Sequence, residues 1–166
     1  MAYSITLVDI AGAVIAVACV QSALSDARGT PCKLWRLGLP PLLGSFASIL
    51  ILARAVVSFE HDAMWIVTAL CGVLAGWWRG RQIVIETDQI WGVVRIQRVL
   101  DSLIAALIIL AIVLVDGVAD LFPAGTLLRH AHFAAASALC AGYLAGRAWS
   151  LIGRAVRSPH VELQKH

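Results

Sequence analysis

Four charged residues lie within or beside long apolar stretches of the sequence: Asp9, Arg54, Asp101 and Arg147. An ionisable side chain in such a place is costly and commonly serves a function. Asp9 and Arg54 lie at similar depths from one predicted membrane surface, and Asp101 and Arg147 at similar depths from the other. The spacing therefore allows two ion pairs. The alternative is that all four side chains extend toward water, because each lies near the end of its stretch.

Three histidines are candidate ligands for a metal ion or for haem iron: His61, His130 and His132. Imidazole binds several divalent metals and is a common axial ligand of haem. However, His130 and His132 are two residues apart, so on a helix they point in different directions. We therefore predict no cofactor, and a histidine site for metal or haem remains an alternative.

The sequence contains no motif that is typical of a catalytic centre. It has no GxSxG turn, no Walker loop and no dinucleotide fingerprint. Cys71 and Cys140 occupy matching places in two similar segments, but a thiol surrounded by lipid is poorly reactive. We predict no catalytic residues, and the residues favour a non-enzymatic role.

The composition indicates a chain that lies largely in lipid. Hydrophobic types make up 60% of the 166 residues and charged types 14%, whereas soluble domains have about 45–50% and about 25%. Continuously apolar stretches of about 20 residues predict helices, because backbone groups in lipid must be bonded internally. We predict an all-α transmembrane bundle in a single domain over residues 1–166, with five spans at about 4–24, 37–59, 63–78, 99–122 and 130–152.

The segments between the predicted spans alternate in charge. The first, the third and the C-terminal tail are rich in arginine, whereas the second holds Glu60, His61 and Asp62 without a basic residue. Basic segments remain in the cytoplasm, which predicts an external N-terminus and a cytoplasmic C-terminus. The small net charge of +3 is divided among these segments, and we predict no nucleic-acid partner.

Two predicted spans carry the same small-residue pattern. The third contains ALCGVLAG, with Gly72 and Gly76, and the fifth contains ALCAGYLAG, with Gly142 and Gly146. Glycines four residues apart lie on one helix face and allow close packing, either within one chain or between two copies in a dimer. The similarity is also consistent with a parallel repeat of a two-helix hairpin, or with the common use of these residues in membrane helices.

The cytoplasmic segment 79–98 contains two β-branched stretches, at 82–87 and 90–96. They predict a short hairpin or interfacial flap. Since an isolated hairpin is only marginally stable in water, the flap should require the membrane surface or a partner. Trp77, Trp78 and Trp91 suit a position at the interface.

Two short motifs resemble a known family. The stretches Thr30–Lys33 and Leu39–Leu42 resemble the loop and span start of CcdC-like small bacterial membrane proteins. Gly72 and Gly76, the arginines that follow and the β-like stretch 83–96 are similar to that family too. The resemblance implies a bacterial cytoplasmic membrane and a helper role linked to cytochrome c biogenesis.

Three functional hypotheses follow. The leading one is a scaffold or assembly helper of the bacterial inner membrane, whose partners are the bilayer and either a second copy of the chain or another membrane protein. The second is a small oligomeric transporter or channel, which the charges inside the spans suggest. The third is a haem, metal or redox protein that uses the outer-face histidines.

Overall fold

The computed structural model describes residues 7–53, 59–119 and 126–159. Five α-helices make up most of it: α1 (Leu7–Arg28), α2 (Leu39–Leu52), α3 (Phe59–Gln82), α4 (Asp101–Ala119) and α5 (Thr126–Ala155). A 3₁₀ helix at Leu34–Gly38 leads directly into α2. Three strands complete the fold: β1 (Cys32–Lys33), β2 (Ile85–Asp88) and β3 (Val93–Ile96).

Three of the described helical stretches are long and apolar enough to cross a membrane: Leu7–Arg28, Leu34–Leu52 and Asp101–Val118. This confirms the prediction of a mostly helical chain with apolar helices that can span a membrane, whereas the five spans and their orientation stay predictions. The ends of α3 and α5 lie beyond the predicted spans, so that Arg79, Arg81 and Arg154 belong to helices. The composition of the spans could not show this, because a helix continues past an apolar stretch when its polar end reaches water.

Local sequence signals set several helix boundaries. Gly29 ends α1 in a left-handed conformation with φ of +63°, and its N–H donates to the Asp26 carbonyl at 3.1 Å. Glycine is favoured there because it has no Cβ to clash. Pro40 and Pro41 lie in the first turn of α2, where the missing N–H would have had no helical partner.

Helix α5 is the central element of the bundle. Helix α2 runs antiparallel to it, with Ser48 beside Ala134 and Gly44 beside Ala141. Helix α4 also packs on α5, and α1 covers α2 and α4. The core consists largely of alanine, cysteine and a few larger residues such as Ile109. Small side chains let the helices approach closely where lipid offers no hydrophobic drive to associate.

Residues 85–96 form the predicted hairpin, but a third strand and helix α5 hold it, whereas the prediction required the membrane surface or a partner. Residues 79–82 of the predicted flap belong to α3. β1 pairs with β3 and β3 pairs with β2, all antiparallel, in the order β1-β3-β2. The third strand, Cys32–Lys33, is only two residues long, which is too short for a sequence pattern to reveal. The buried face of the sheet packs against Leu151 and Ala155 of α5.

The hairpin turn has recognisable chemistry. Asp88 Oδ1 accepts hydrogen bonds from the N–H groups of Ile90 and Trp91, at 3.1 and 3.3 Å. Gly92 follows with φ of +60°. Aspartate is typical of turns because its side chain accepts hydrogen bonds from nearby backbone N–H groups, and glycine is typical because it adopts positive φ without strain. The turn therefore fixes the register in which Glu86 faces Arg95.

Candidate functional site

A buried arginine joins three helices near the sheet. Arg147 of α5 is 3% exposed, and Asp26 of α1 is 5% exposed. Arg147 Nη1 donates to Asp26 Oδ2 at 3.0 Å. Arg147 Nε lies 3.3 Å from Asp101 Oδ1, at the first residue of α4. The guanidinium thus lies between two carboxylates and does not extend to the surface.

Asp101 is held from two further directions. Arg79 Nε of α3 lies 3.4 Å from Asp101 Oδ2, and the Tyr143 hydroxyl donates to the same oxygen at 3.0 Å. The backbone N–H of Ser102 donates to Asp101 Oδ1 at 2.8 Å. With Asp26 and Arg147, these residues form what we call the Arg147 cluster.

The helix lengths explain how the Arg147 cluster assembles. Asp26 lies in the last turn of α1, and Asp101 begins α4. Arg147 lies eight residues before the end of α5, a distance of about 12 Å along a helix axis. Helix α5 therefore extends past the last turn of α1 and the first turn of α4, so that an arginine from its interior meets residues from their ends.

The charges of the Arg147 cluster balance, with two arginines against two aspartates. A buried ion pair is tolerated only when its groups are also well hydrogen-bonded, because removing them from water costs several kcal/mol per ion, roughly. Asp101 meets this condition, because the Tyr143 hydroxyl and the Ser102 N–H donate to it beside the two arginines. Asp26 accepts its hydrogen bond from Arg147 Nη1. The cluster offers no nucleophile beside a base, so its geometry fits the joining of α1, α3, α4 and α5 better than it fits catalysis.

The predicted charge pairs have different outcomes. The structure brings Asp101 and Arg147 together, although Asp26 makes the shorter contact with Arg147. Sequence reasoning missed Asp26 because it lies at a helix end, where a charge normally faces water. Arg54 lies outside the described residues, so the proposed Asp9–Arg54 pair does too. Asp9 and Asp116 line one small cavity of about 20 Å³ between α1, α2 and α4.

The glycines of the two matching segments face each other within the chain. A Cβ at Gly72 would overlap the carbonyl oxygen of Leu139, and one at Gly76 would overlap that of Tyr143. Reciprocally, a Cβ at Gly142 would overlap the carbonyl of Ala69, and one at Gly146 that of Val73. The small-residue faces of α3 and α5 are therefore used inside the chain, where the two helices run parallel.

Gly80 extends this contact by one turn, and sequence analysis missed it. A Cβ at Gly80 would lie 2.8 Å from Ser150 Cβ and 2.9 Å from the Arg147 carbonyl oxygen. The signal was available, because Gly72, Gly76 and Gly80 continue the same spacing of four. The close approach along α3 also brings Arg79 within reach of Asp101.

A second polar contact lies farther from the sheet, among α2, α3 and α5. Trp65 Nε1 donates to Ser48 Oγ at 3.1 Å, and Ser137 Oγ donates to Ser48 Oγ at 3.0 Å. Ser48 and Ser137 are fully buried. Sequence analysis gave no weight to single serines in apolar stretches, since their function depends on which helix they face.

The histidines give no site within the described side chains. His132 is exposed on α5, and the side chains of His61 and His130 lie outside the described residues. Among the described residues, no group of three or more histidine, cysteine, aspartate or glutamate side chains is arranged to hold a metal ion.

The cysteines are all free in the described structure. Cys71 is exposed on the outer surface of α3, whereas Cys140 is buried in α5, so the matching motif places them in different surroundings. Cys32 is buried in the sheet. Burial raises the pKa of its thiol, and the nearby Asp26 carboxylate raises it further.

Comparisons with protein-family models, with curated proteins and with solved structures find no match for this chain.

Proposed function

We propose that the chain is a non-enzymatic scaffold or assembly helper of the bacterial inner membrane. It would cross the membrane five times, with its N-terminus outside, and present its sheet to a partner in the cytoplasm. The observation that carries this proposal is the sheet itself, a small soluble-type element that is firmly attached to the membrane bundle.

The helix directions support five crossings. The end of α1, at Asp26, and the start of α4, at Asp101, both meet Arg147 near the end of α5. Gly12 of α1 lies beside Val113 of α4. Helices α1 and α3 thus run parallel to α5, whereas α2 and α4 run antiparallel to it. Successive helices therefore alternate in direction. This arrangement collects the basic segments at the end where the sheet lies: Arg28, Lys33, Arg36, Arg79, Arg81, Arg95, Arg98, Arg154 and Arg157. One basic end is what retention of arginine in the cytoplasm predicts.

Accessibility labelling in membrane vesicles tests this orientation. Arg36→Cys and Arg95→Cys should both react with an impermeant maleimide from the cytoplasmic side. Native Cys32 should add little background, because it is buried and its thiol pKa is raised. Reaction of the two introduced cysteines from opposite sides would reject five crossings.

The sheet is attached in three ways. Arg154 Nη1 donates to the carbonyl oxygens of Gly80, Arg81 and Ile83, at 2.9, 3.1 and 2.7 Å. The N–H of Leu34 donates to the Gly92 carbonyl at 3.2 Å. Val94 and Ile96 are buried against α5. A hairpin held this way keeps its shape without a partner and can serve as a preformed docking surface.

The free face of the sheet is polar and mixed in charge. Lys33, Glu86 and Arg95 lie on this face and are exposed. β2 is also an edge strand, whose outer backbone groups can pair with an added strand. Charge complementarity on such a face selects partners and speeds their association.

Site-specific photo-crosslinking in native membranes tests the docking function. A photoreactive residue in place of Glu86 should give one recurrent protein adduct, whereas the same residue in place of lipid-exposed Leu70 or Leu114 should not. The adduct should decrease at least tenfold when Arg95 is changed to glutamate. Equal adduct patterns at Glu86 and Leu70 would reject a docking role. An adduct with a second copy of the chain would identify the partner as the protein itself.

A transporter is the second candidate, and the Arg147 cluster is the observation that favours it. Within the described residues, Arg147 Nη2 is buried and no atom accepts a hydrogen bond from it. The guanidinium can therefore donate to one more anionic group. Asp101→Ala should then abolish ion flux in proteoliposomes. Wild-type flux in that variant would reject transport. The tightly packed centre around Ile109 and Val113 favours the scaffold.

A further inference from the structure

A further polar site lies where α3 and α5 end, beyond the Arg147 cluster toward the C-terminal end of α5. It is an open groove of about 510 Å³. It is formed by the last turns of both helices and by the turn at 156–159. Its lining residues are Trp77, Arg81, Trp149, Ser150, Gly153, Arg154, Arg157, Ser158 and Pro159.

The groove is strongly cationic. Three arginines line it, and none of the described residues that line it is acidic. Arg154 donates hydrogen bonds to the three backbone carbonyls at and just after the end of α3. Arg81 and Arg157 are exposed. No ion pair joins either of these two to another described residue. The guanidinium groups of Arg81 and Arg157 therefore line the same groove and are both available to a ligand.

Aromatic rings flank the arginines and fix one of them. The Arg81 guanidinium lies 4.3 Å from the centroid of the Trp77 ring, a stacking geometry that limits its rotamers. Trp149 is 78% exposed on α5. Tryptophan prefers the level of the lipid headgroups. The groove therefore combines a held arginine with a tryptophan pair suited to the headgroup layer.

We infer that this groove binds a phosphate group, supplied as the headgroup of an anionic phospholipid. Arginine presents a planar fork of donors that matches phosphate oxygens. Basic pockets between membrane helices on the cytoplasmic side are suited to such headgroups. Arg81 and Arg157 would contact the phosphate, and the rings of Trp77 and Trp149 would lie beside the glycerol region. This site is independent of any partner that the sheet binds.

Thermal unfolding of the purified full-length protein tests the inference. Titration with phosphatidylglycerol in a zwitterionic detergent should raise the melting temperature, whereas phosphatidylcholine should not. Arg81→Gln and Arg157→Gln should each weaken the apparent affinity for phosphatidylglycerol about tenfold, because each variant removes a charge-assisted hydrogen bond to the phosphate. A tenfold loss corresponds to about 1.4 kcal/mol. Arg81→Lys keeps the charge but lacks the fork, and should lie between wild type and Arg81→Gln.

Arg36→Gln is the matched control. Arg36 is also an exposed arginine beside a tryptophan, 5.8 Å from the Trp35 ring centroid, but it lies outside the groove. It should leave the phosphatidylglycerol effect unchanged. An equal effect in wild type and in the double variant Arg81→Gln/Arg157→Gln would overturn the inference. Stabilisation by inorganic phosphate alone, without phosphatidylglycerol, would overturn the lipid assignment.

Discussion

Helices α3 and α5 carry the same small-residue motif and contact each other through it, yet they occupy different places in the bundle. Gly72 corresponds to Gly142 and Gly76 to Gly146, an offset of 70 residues. The contacts are reciprocal under this offset, as in a parallel two-fold pair. Helix α5 is nevertheless covered on its other faces by α2 and α4, whereas α3 exposes Leu70, Leu74 and other large apolar residues.

The difference shows that the motif decides only which faces pair. The residues outside the motif decide which helix is central. At the position where α5 has Arg147, α3 has Trp77, and the two follow Gly146 and Gly76 directly. Arg147 requires buried carboxylates from α1 and α4, whereas Trp77 is stable at a lipid interface. The helices before them do not follow the two-fold relation, because α2 and α4 both pack on α5 and neither packs extensively on α3.

Replacing Arg147 should have the largest effect. Arg147→Met leaves Asp26 buried without its cation, whereas Asp101 keeps Arg79. The loss at Asp26 should lower the free energy of unfolding by about 3–5 kcal/mol. Trp77→Met, at the corresponding position, should cost only about 1 kcal/mol, mainly the contact with Arg81. Unfolding in mixed detergent micelles measures both. Equal losses in the free energy of unfolding for the two variants would mean that Arg147 on α5 is no more important to stability than Trp77 on α3.

Valine at the facing glycines should have the next largest effect. Gly76→Val and Gly146→Val introduce a side chain that overlaps a backbone carbonyl, and each should destabilise by about 1–3 kcal/mol or more. Because the contacts are reciprocal, the two losses should be similar. Gly153→Ala is the control on α5, since no atom lies within 4 Å of its added Cβ, and it should be neutral or slightly stabilising. A harmless Gly76→Val would contradict the reciprocal contact.

Removing the Tyr143 hydroxyl should have a smaller effect. Tyr143→Phe removes one hydrogen bond to Asp101, and Asp101 keeps its ion pairs with Arg79 and Arg147. A loss of about 0.5–1.5 kcal/mol is expected. The matched control is Val73→Ala, at the position of α3 that corresponds to Tyr143 and has no polar partner. A second unfolding titration in the Asp101→Ala background, which removes the acceptor, should show that the Tyr143→Phe effect largely disappears, because the two groups act together.

The smallest expected effect concerns the two native cysteines and needs no substitution. Both thiols lie in apolar surroundings and should react slowly, but a membrane-permeant maleimide should modify Cys71, which is exposed on α3, at least tenfold faster than Cys140, which is buried in α5. Peptide mapping by mass spectrometry measures both rates in one sample. Faster modification of Cys140 would place α5 rather than α3 at the edge of the bundle.

Several features could be predicted from the sequence alone. The membrane class follows from apolar stretches, because lipid forces their backbone into helices. The glycine faces of α3 and α5 were evident from the spacing of four. The hairpin was evident from β-branched residues around Asp88 and Gly92. The depths of Asp101 and Arg147 already suggested that they meet. In each case the signal is local, or depends only on distance along one helix.

Only the tertiary structure decided the rest. Asp26 joins the Arg147 cluster because α1 ends beside α4, and no pattern within α1 states which helix is its neighbour. Two residues at Cys32–Lys33 become a strand only because β3 lies next to them. Arg81 and Arg157 share a groove because α3 and α5 end at the same level. Contacts between distant segments depend on how side chains fit across helices, and that fit is a property of pairs of surfaces which a single stretch of sequence does not contain.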